Sequence, residues 1–485
     1  MMKISALLRA FSVPARTGFT ASVAAVAAGA AGAIIAVTPL SARAALPIQS
    51  WVAPSGAKVM FVESRSIPMI DLNIDFDAGS RYDPPGKSGL AMLTAGLLDA
   101  GASAAAGRPA LTEAQIADRF ADVGAMEATS AGRDAATVTL RTLSSATERD
   151  AAVGAMAQFL QHPTFPDAVL KREAARLSAA IAESDTKPEA IAEKAFRRAI
   201  YGSHPYGVSP TVASVNAVKR DDLVRFYRDM YSPKRAVVTI VGDIDRAQAE
   251  ALVATLTDAM PVGVTPPAMP PVASLGSAVQ IDLPHPAEQA HIVTGQASVA
   301  RSDPDYFPLL VGNYVLGGGG FVSRLTAEVR EKRGLTYGVS SGFMPQLQEG
   351  PFEISLQTRR EQAPEALKVV RETLAKFVQD GPTDAEMQAA RDNLTNGFPL
   401  RLDSNRKLLA NVAAIGFYHL PLDYLDTWTR NVEAVTAAQV KSAFARHVAP
   451  DRLVTVVVGP SGVFGGASAG AATPSGKSSA GTQTK

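Results

Sequence analysis

The chain has 485 residues, of which 47% are hydrophobic and 19% charged, enough apolar material for two or more globular domains. Its formal net charge is +1 and it has no long basic run, so nothing suggests nucleic acid as a partner. Cysteine is absent, which excludes disulfides and thiol chemistry.

The first 44 residues have the pattern of an export signal. An apolar run over 21–40 follows the basic residues Lys3, Arg9 and Arg16, and a small-x-small cleavage site ends at Ala44. We therefore expect export to the periplasm with cleavage after Ala44, which leaves no membrane span. The alternative is an uncleaved membrane anchor, although a run made mostly of alanine is only weakly apolar.

The first half of the chain alternates strand and helix patterns. The small and apolar residues of 89–98 predict a buried helix. Thr112 and Gln115 form a capping-box pattern that opens a second helix, and Gly124 ends it. The remaining patterns predict strands over 51–62, 69–76, 136–143 and 236–241, and helices over 151–159, 167–183, 189–201 and 221–230.

A proline-rich segment divides the chain. Residues 261–277 hold five prolines among small residues and predict a semi-rigid linker. The linker separates an N-terminal domain, 45–260, from a C-terminal domain, 278–460. Beyond Pro460 the chain is rich in Gly, Ser, Ala and Thr, which predicts a disordered tail over 461–485.

The second half repeats features of the first. The run 231–242 matches 448–459 at an offset of 217 residues, with proline and glycine at equivalent positions. Arg81-Tyr-Asp-Pro likewise matches Arg301-Ser-Asp-Pro at an offset of 220. Two matches at nearly one period indicate duplication of a domain of roughly 200 residues. Helices interleaved with alternating strands then predict two similar α/β units, each a sheet covered by helices.

The stretch 317–343 carries a candidate functional pair. Four glycines favour a tight turn, and the apolar residues after them recur at helical spacing, namely Phe321, Leu325 and Val329. Gly334 ends this helix, which places Arg330 near its end and Tyr337 on the next strand. The alternative is that Arg330 is a solvated residue favoured only by the helix dipole.

No local metal or serine-hydrolase motif is present. A zinc-binding helix presents two histidines three or four residues apart, and no two of the six histidines have that spacing. There is also no Gly-x-Ser-x-Gly elbow.

The order of the motifs resembles that of the insulinase/pitrilysin-like zinc peptidases, in the two-domain form that includes mitochondrial processing peptidase. The resemblance covers about 51–460. It is carried by four stretches in family order: Gly79-Ser-Arg-Tyr-Asp, His204-Pro-Tyr-Gly, 231–243 and 317–337. It implies an α+β fold of two duplicated domains, each a mostly antiparallel sheet covered by helices, which together form a clamshell.

Active members of that family carry His-x-x-Glu-His in the helix after the first long strand. In this chain Met92 and Gly96 occupy the two histidine positions, and Ala95 occupies that of the general base. The family's third ligand is a glutamate seven residues after another; Glu173 matches the earlier one, and Ala180 stands at the ligand position. Zinc hydrolysis needs three protein ligands and a base, so the resemblance implies no catalytic zinc here. We interpret Met92 as a packed core residue, and a role for Glu173 stays open.

Arg330 and Tyr337 match the arginine and tyrosine that the family's C-terminal domain presents to the substrate. A guanidinium and a phenol can both donate to a carbonyl oxygen that becomes an oxyanion. Some members of the family divide the zinc motif and this pair between two subunits. The resemblance therefore implies a noncatalytic subunit of an exported heterodimeric zinc peptidase. This chain would bind no cofactor, a homologous partner would hold the zinc, and a peptide would be the substrate.

Five further residues are weaker candidates for contacts to an extended peptide, because they precede the strand at the corresponding place of the first unit. They are Thr129, Ser130, Ala131, Gly132 and Arg133.

Two other functions stay open. A peptide-binding or scaffold protein of the same fold would tolerate changes at Arg330 and Tyr337. An independent hydrolase with another site would be active without a partner.

Overall fold

The computed structural model describes residues 47–105 and 107–461. The predicted export signal and, from residue 462 onward, the predicted tail lie outside these ranges. The strands are β1 (Gln49–Val52), β2 (Lys58–Glu63), β3 (Met69–Phe76), β4 (Gly101–Ala102), β5 (Leu111–Thr112), β6 (Met126–Ala131), β7 (Ala136–Leu143), β8 (Ala236–Gly242), β9 (Val279–Pro284), β10 (Gln289–Val299), β11 (Val339–Phe343), β12 (Gly350–Arg359) and β13 (Val454–Gly459).

The helices are α1 (Leu90–Gly96), α2 (Glu113–Ala121), α3 (Ala146–Gln161), α4 (Asp167–Ser184), α5 (Pro188–Tyr201), α6 (Val212–Asn216), α7 (Arg220–Met230), α8 (Arg246–Thr257), α9 (Tyr306–Asn313), α10 (Ala363–Asp380), α11 (Asp384–Gly397), α12 (Asn405–Phe417), α13 (Tyr424–Ala434) and α14 (Ala437–His447). Within 47–105 and 107–461, none of them is long and apolar enough to cross a membrane.

Most predicted elements of the first half are present. Strands β3 and β7 coincide with the predicted ranges, and Thr112 and Gln115 form a capping box at the start of α2. The predicted single strand 51–62 is wrong, because this segment contains the end of β1, a turn and β2. Gly56, at φ +94°, allows the turn that folds β1 back antiparallel onto β2.

The two sheets have the same topology, which confirms two similar units. The first sheet has the order β1-β2-β8-β3-β7-β6, and the second, taken from its far edge, has the order β9-β13-β10-β12-β11. In each, one pair is parallel, β2 with β8 and β9 with β13, and the other pairs are antiparallel. Strand β1 is an additional edge strand of the first sheet. The two runs that match at an offset of 217 residues occupy equivalent places: one leads from the end of α7 through β8, and the other leads from the end of α14 through β13.

Each sheet is covered on one face by helices of its own half and on the other by a helix of the opposite half. Helix α12 lies on β8, β3 and β2, and helix α5 lies on β13 and β10. Met60, Val62, Val237 and Val241 of the first sheet therefore belong to the core that surrounds α12. Burial of such side chains stabilises a fold by about 1.5–3 kcal/mol each. The exchanged helices thus make the two cores interdependent.

The segment 261–277 contains no helix and no strand. Met269, Val272 and Leu275 pack against the cluster between α5 and the second sheet, and Ser232 Oγ donates to the carbonyl of Val262 at 2.6 Å. The segment is therefore attached along the surface of the folded part.

Candidate functional site

The glycine-rich stretch is part of a packed helical segment rather than a free loop. Helix α9 continues into a wide helical turn over Tyr314–Gly318, and a tight turn follows over Gly320–Val322. Gly317 packs so closely on β11 that a Cβ atom would lie 2.4 Å from Ser341 Oγ. Gly320 has φ +60°, which favours glycine. These glycines are thus needed for close packing and for one left-handed position.

The next helical segment ends with a wide turn over Thr326–Glu331. Leu325 and Val329 are fully buried, as their spacing predicts, whereas Phe321 lies outside the helix and is 67% exposed. Phe321 is exposed because it belongs to the preceding tight turn. Its phenyl ring faces Arg330, with 4.7 Å between the guanidinium carbon and the ring centroid.

Arg330 occupies the last turn of this segment, as predicted, and its carbonyl accepts from the Gly334 amide at 2.8 Å. The other basic side chains of the segment have carboxylate partners: Arg324 pairs with Glu386 at 2.6 Å, and Lys332 and Arg333 pair with Glu328 at 2.6 and 2.7 Å. Among the described residues, Arg330 has no carboxylate partner. Its N–H groups are therefore available to a ligand.

Tyr337 lies in the turn before β11, so its predicted position on the strand is wrong. Thr336 Oγ1 donates to the Gln357 carbonyl at 2.6 Å and accepts from the Gly338 amide at 3.1 Å. These bonds hold the backbone on both sides of Tyr337, and β11 begins only at Val339. The Tyr337 side chain is 86% exposed.

Arg330 and Tyr337 line one cavity of about 400 Å³, together with Leu335, Thr336 and Gln357. The turn that ends at Gly334 brings both side chains to the same opening. Such an arrangement can direct two hydrogen-bond donors at one oxygen atom.

Tyr337 also borders a second cavity of about 440 Å³ between α5 and the second sheet. Its lining includes Glu193, His291 and Glu353. Burial and the nearby charge of Glu193 raise the pKa of Glu353 to about 7, and burial lowers the pKa of His291. Tyr337 therefore lines both the cavity that contains Arg330 and the cavity that contains Glu193 and Glu353.

The family's zinc positions hold no suitable ligand in this chain. Met92 and Gly96 lie one turn apart on the outward face of α1, while Ala95 faces the core. The interpretation of Met92 as a packed core residue is wrong, because its side chain is 38% exposed. Ala180 is exposed on α4, and Glu173 pairs with Arg172 and Arg176. Methionine, glycine and alanine at these positions do not fit a catalytic zinc.

Within the ranges that the structure describes, one group of side chains brings three possible metal-ligand atoms within 4.8 Å of one another: Asp303, Asp305 and His447. Its members already have partners. His447 Nε2 lies 3.0 Å from an Asp305 oxygen, and Arg446 pairs with the same carboxylate at 2.7 Å. This group is accounted for as an ion-pair cluster.

The weaker candidates lie at the edge of the first sheet. Thr129, Ser130 and Ala131 precede β7, as predicted, and they themselves form the end of β6, which pairs with β7 at the edge of the first sheet. Gly132 is in the following turn, where its amide donates to Ala135. Arg133 Nε donates to the Tyr206 carbonyl at 3.2 Å, and burial and nearby Arg197 lower the pKa of Arg133. No described hydrogen bond or cavity joins these residues to Arg330 or Tyr337.

A buried polar network that the sequence did not reveal connects the two halves. Asp134 accepts from the Arg81 guanidinium, the Tyr206 hydroxyl and the Leu347 amide. His204 Nε2 lies 2.8 Å from Gln348 Oε1. The motifs around Arg81 and His204 thus fix the β11–β12 turn against the first half.

Two family descriptions match the chain: "Insulinase (Peptidase family M16)" over residues 58–211, and "Peptidase M16 inactive domain" over residues 217–394. An uncharacterized zinc protease from Mycobacterium leprae is 29% identical over 58% of this chain, which spans only 64% of that relative. A Helicobacter pylori protein named as a non-peptidase homolog is 23% identical over 82% of this chain and 91% of its own length.

A solved structure of a peptidase M16 inactive domain from Pseudomonas fluorescens resembles the whole described fold. It is 36% identical, with a TM-score of 0.80 over 86% of this chain and 99% of that one. The family descriptions cover both halves of the duplicated fold. The chain therefore belongs to the insulinase family of peptidases, M16.

Proposed function

We propose that this chain is the noncatalytic subunit of an exported heterodimeric zinc metallopeptidase. It supplies Arg330 and Tyr337 to a peptide-cleaving site whose zinc is held by a homologous partner. One observation carries the proposal: an arginine with no carboxylate partner among residues 47–105 and 107–461 lines the same cavity as an exposed tyrosine. The chain that presents them has Met92 and Gly96 at the family's histidine positions.

The chemistry of the pair suits the stabilisation of a peptide carbonyl oxygen. The guanidinium and the phenol donate hydrogen bonds that strengthen as negative charge develops on that oxygen. Removal of one such donor typically costs about 2.7–4 kcal/mol of transition-state stabilisation. Because this chain offers no zinc ligands or base at the family positions, we assign the activation of water to the partner.

The substrate is proposed to be an extended peptide. Strand β6, with Thr129 and Ser130, is an edge strand, and β11 is the edge strand that follows Tyr337. An edge strand offers unpaired backbone groups to which a peptide can add as a further strand. Backbone pairing with β11 would place the peptide bond to be cleaved near the side chains of Arg330 and Tyr337.

Export is part of the proposal. It rests on the apolar run over 21–40 and the small-x-small site that ends at Ala44. The partner is accordingly an exported homologue of the same cell that carries the complete zinc motif.

The test is peptide hydrolysis by the purified chain, alone and mixed with that homologue. We expect activity in the mixture above that of either component, and a fall of about 100- to 1,000-fold in kcat for Arg330→Ala or Tyr337→Phe. Arg333→Ala is the matched control, because Arg333 lies on the same segment and already pairs with Glu328.

Absence of a complex and of any gain in activity would overturn the proposal. It would favour the alternative, a peptide-binding or scaffold protein of this fold. That alternative predicts unchanged peptide binding in the Arg330→Ala and Tyr337→Phe variants.

A further inference from the structure

The guanidinium of Arg330 is held by an aromatic ring instead of a carboxylate. Its central carbon lies 4.7 Å from the centroid of the Phe321 ring. A cation over the face of an aromatic ring within about 6 Å is attracted by the ring quadrupole. Within the described ranges this is the contact that orients the charged end of Arg330.

The backbone turn that carries Phe321 is held by hydrogen bonds on both sides. On one side, the Gly319 amide donates to the Tyr314 carbonyl at 2.9 Å. On the other side, buried Ser323 donates through Oγ to the Gly320 carbonyl at 2.7 Å. The ring itself is 67% exposed, so core packing does not account for its place. The held turn thus carries an exposed phenyl group that lies beside Arg330.

A ring and a carboxylate have different consequences for an arginine that binds a ligand. A carboxylate accepts from the N–H groups and neutralises the charge, as Glu386 does for Arg324. An aromatic ring attracts the charge without taking up the N–H donors in the way that a carboxylate does. Arg330 is thus held in place without competition for the hydrogen bonds that it would make to a peptide oxygen.

We infer that Phe321 is a positioning residue for Arg330, which holds the guanidinium at the cavity shared with Tyr337 while its donors stay available to substrate. The inference rests on the proposed function of Arg330. It assigns the glycine-rich turn a purpose beyond packing, which is to carry this ring.

The contact is tested first on the free full-length chain, without a partner. The Nε–H signal of Arg330, identified by its loss in Arg330→Lys, is compared in the wild type and in Phe321→Leu by NMR. We expect the ring-current shift to disappear in Phe321→Leu and to persist in Phe321→Trp. Val322→Ala, the matched control at the next exposed residue, leaves the signal unchanged. An Arg330 signal that does not move in Phe321→Leu overturns the inference.

The functional effect is tested in the mixture with the zinc-bearing homologue. We expect Phe321→Leu to lower kcat/KM about two- to fivefold, the size of an exposed cation–π contact, and Phe321→Trp to retain activity. In the Arg330→Ala background, Phe321→Leu has no further effect.

An equal loss in both backgrounds would mean that Phe321 contacts substrate itself and would overturn the positioning role. If the mixture is inactive with wild-type chain, the proposed function fails, and the NMR comparison alone decides whether Phe321 orients Arg330.

Discussion

The arginines of this chain differ in the partners of their side chains. Unlike Arg324, Lys332 and Arg333, Arg330 has no carboxylate partner among the described residues. Arg81 is the opposite case, because buried Asp134 and nearby Asp77 accept its hydrogen bonds. The partners of an arginine therefore indicate its role better than its position in a motif.

A buried carboxyl group beside α1 makes stability depend on pH. Burial and the charge of Asp99 raise the pKa of Glu127 to about 8, and Glu127 Oε1 has no described hydrogen-bond partner. Between pH 4.5 and pH 8 the folded chain holds this proton more tightly than the unfolded chain does. Stability contributed by the neutral form is therefore lost as the pH rises through this window.

We predict that Glu127→Gln removes this loss. The free energy of unfolding of the variant minus that of the wild type should be about 1–4 kcal/mol larger at pH 8 than at pH 4.5. Both proteins are measured by urea unfolding at both pH values. Glu148→Gln, in the first turn of α3, serves as the control and should show no such gain. Equal pH dependence of the Glu127→Gln variant and the wild type would contradict the prediction.

At the scale of elements, periodicity and capping predicted most of the first half. Alternation predicted β3 and β7 because one face of each strand is buried, and Thr112 with Gln115 predicted the start of α2. The error at Tyr337 has a cause that lies far away in sequence. Thr336 bonds to the carbonyl of Gln357, and this contact keeps Tyr337 out of β11.

The helix exchange was not predictable from sequence either. An apolar stripe shows that a helix is covered, but it does not identify the sheet that covers it. For helix α12, a close contact at Gly416 identifies the sheet against which the helix packs. A Cβ atom at Gly416 would lie 2.6 Å from Val237 Cγ1 and 2.8 Å from Met60 Cγ, both on the first sheet.

We predict that Gly416→Ala destabilises the chain by about 1–3 kcal/mol, because the added methyl group overpacks the contact between α12 and the first sheet. The measurement is the free energy of unfolding in urea. Gly397→Ala is the matched control, since Gly397 also lies in a helix and has open space around its Cβ position. That change should be neutral or stabilising by up to about 1 kcal/mol. Equal effects of the two changes would show that α12 does not pack as described.

At the scale of the whole molecule, the exchanged helices and the Asp134 network join the two halves. In the described part of the chain, each sheet has one face covered by a helix of the other half. The chain has two tryptophans, and each reports on a different half: Trp51 lies on β1 and Trp428 on α13.

We predict that the two halves unfold together. Single-tryptophan variants, Trp51→Phe and Trp428→Phe, should show fluorescence transitions with midpoints that each coincide with the circular dichroism midpoint of the same variant. The two tryptophans have different surroundings, since Arg246 lies over Trp51 and Phe398 stacks on Trp428. Separate fluorescence and circular dichroism midpoints would show that one half is stable without the other.

The exchange of α12 also affects the chain while it is being made. The last strand of the first sheet ends at Gly242, whereas the helix that covers its second face ends at Phe417. At ribosomal rates of about 5–20 residues per second, Phe417 is added about 10–35 s after Gly242. During that time Met60, Val62, Val237 and Val241 have no partner helix. A first sheet that formed during synthesis would present this hydrophobic face to chaperones and proteases until α12 had been made.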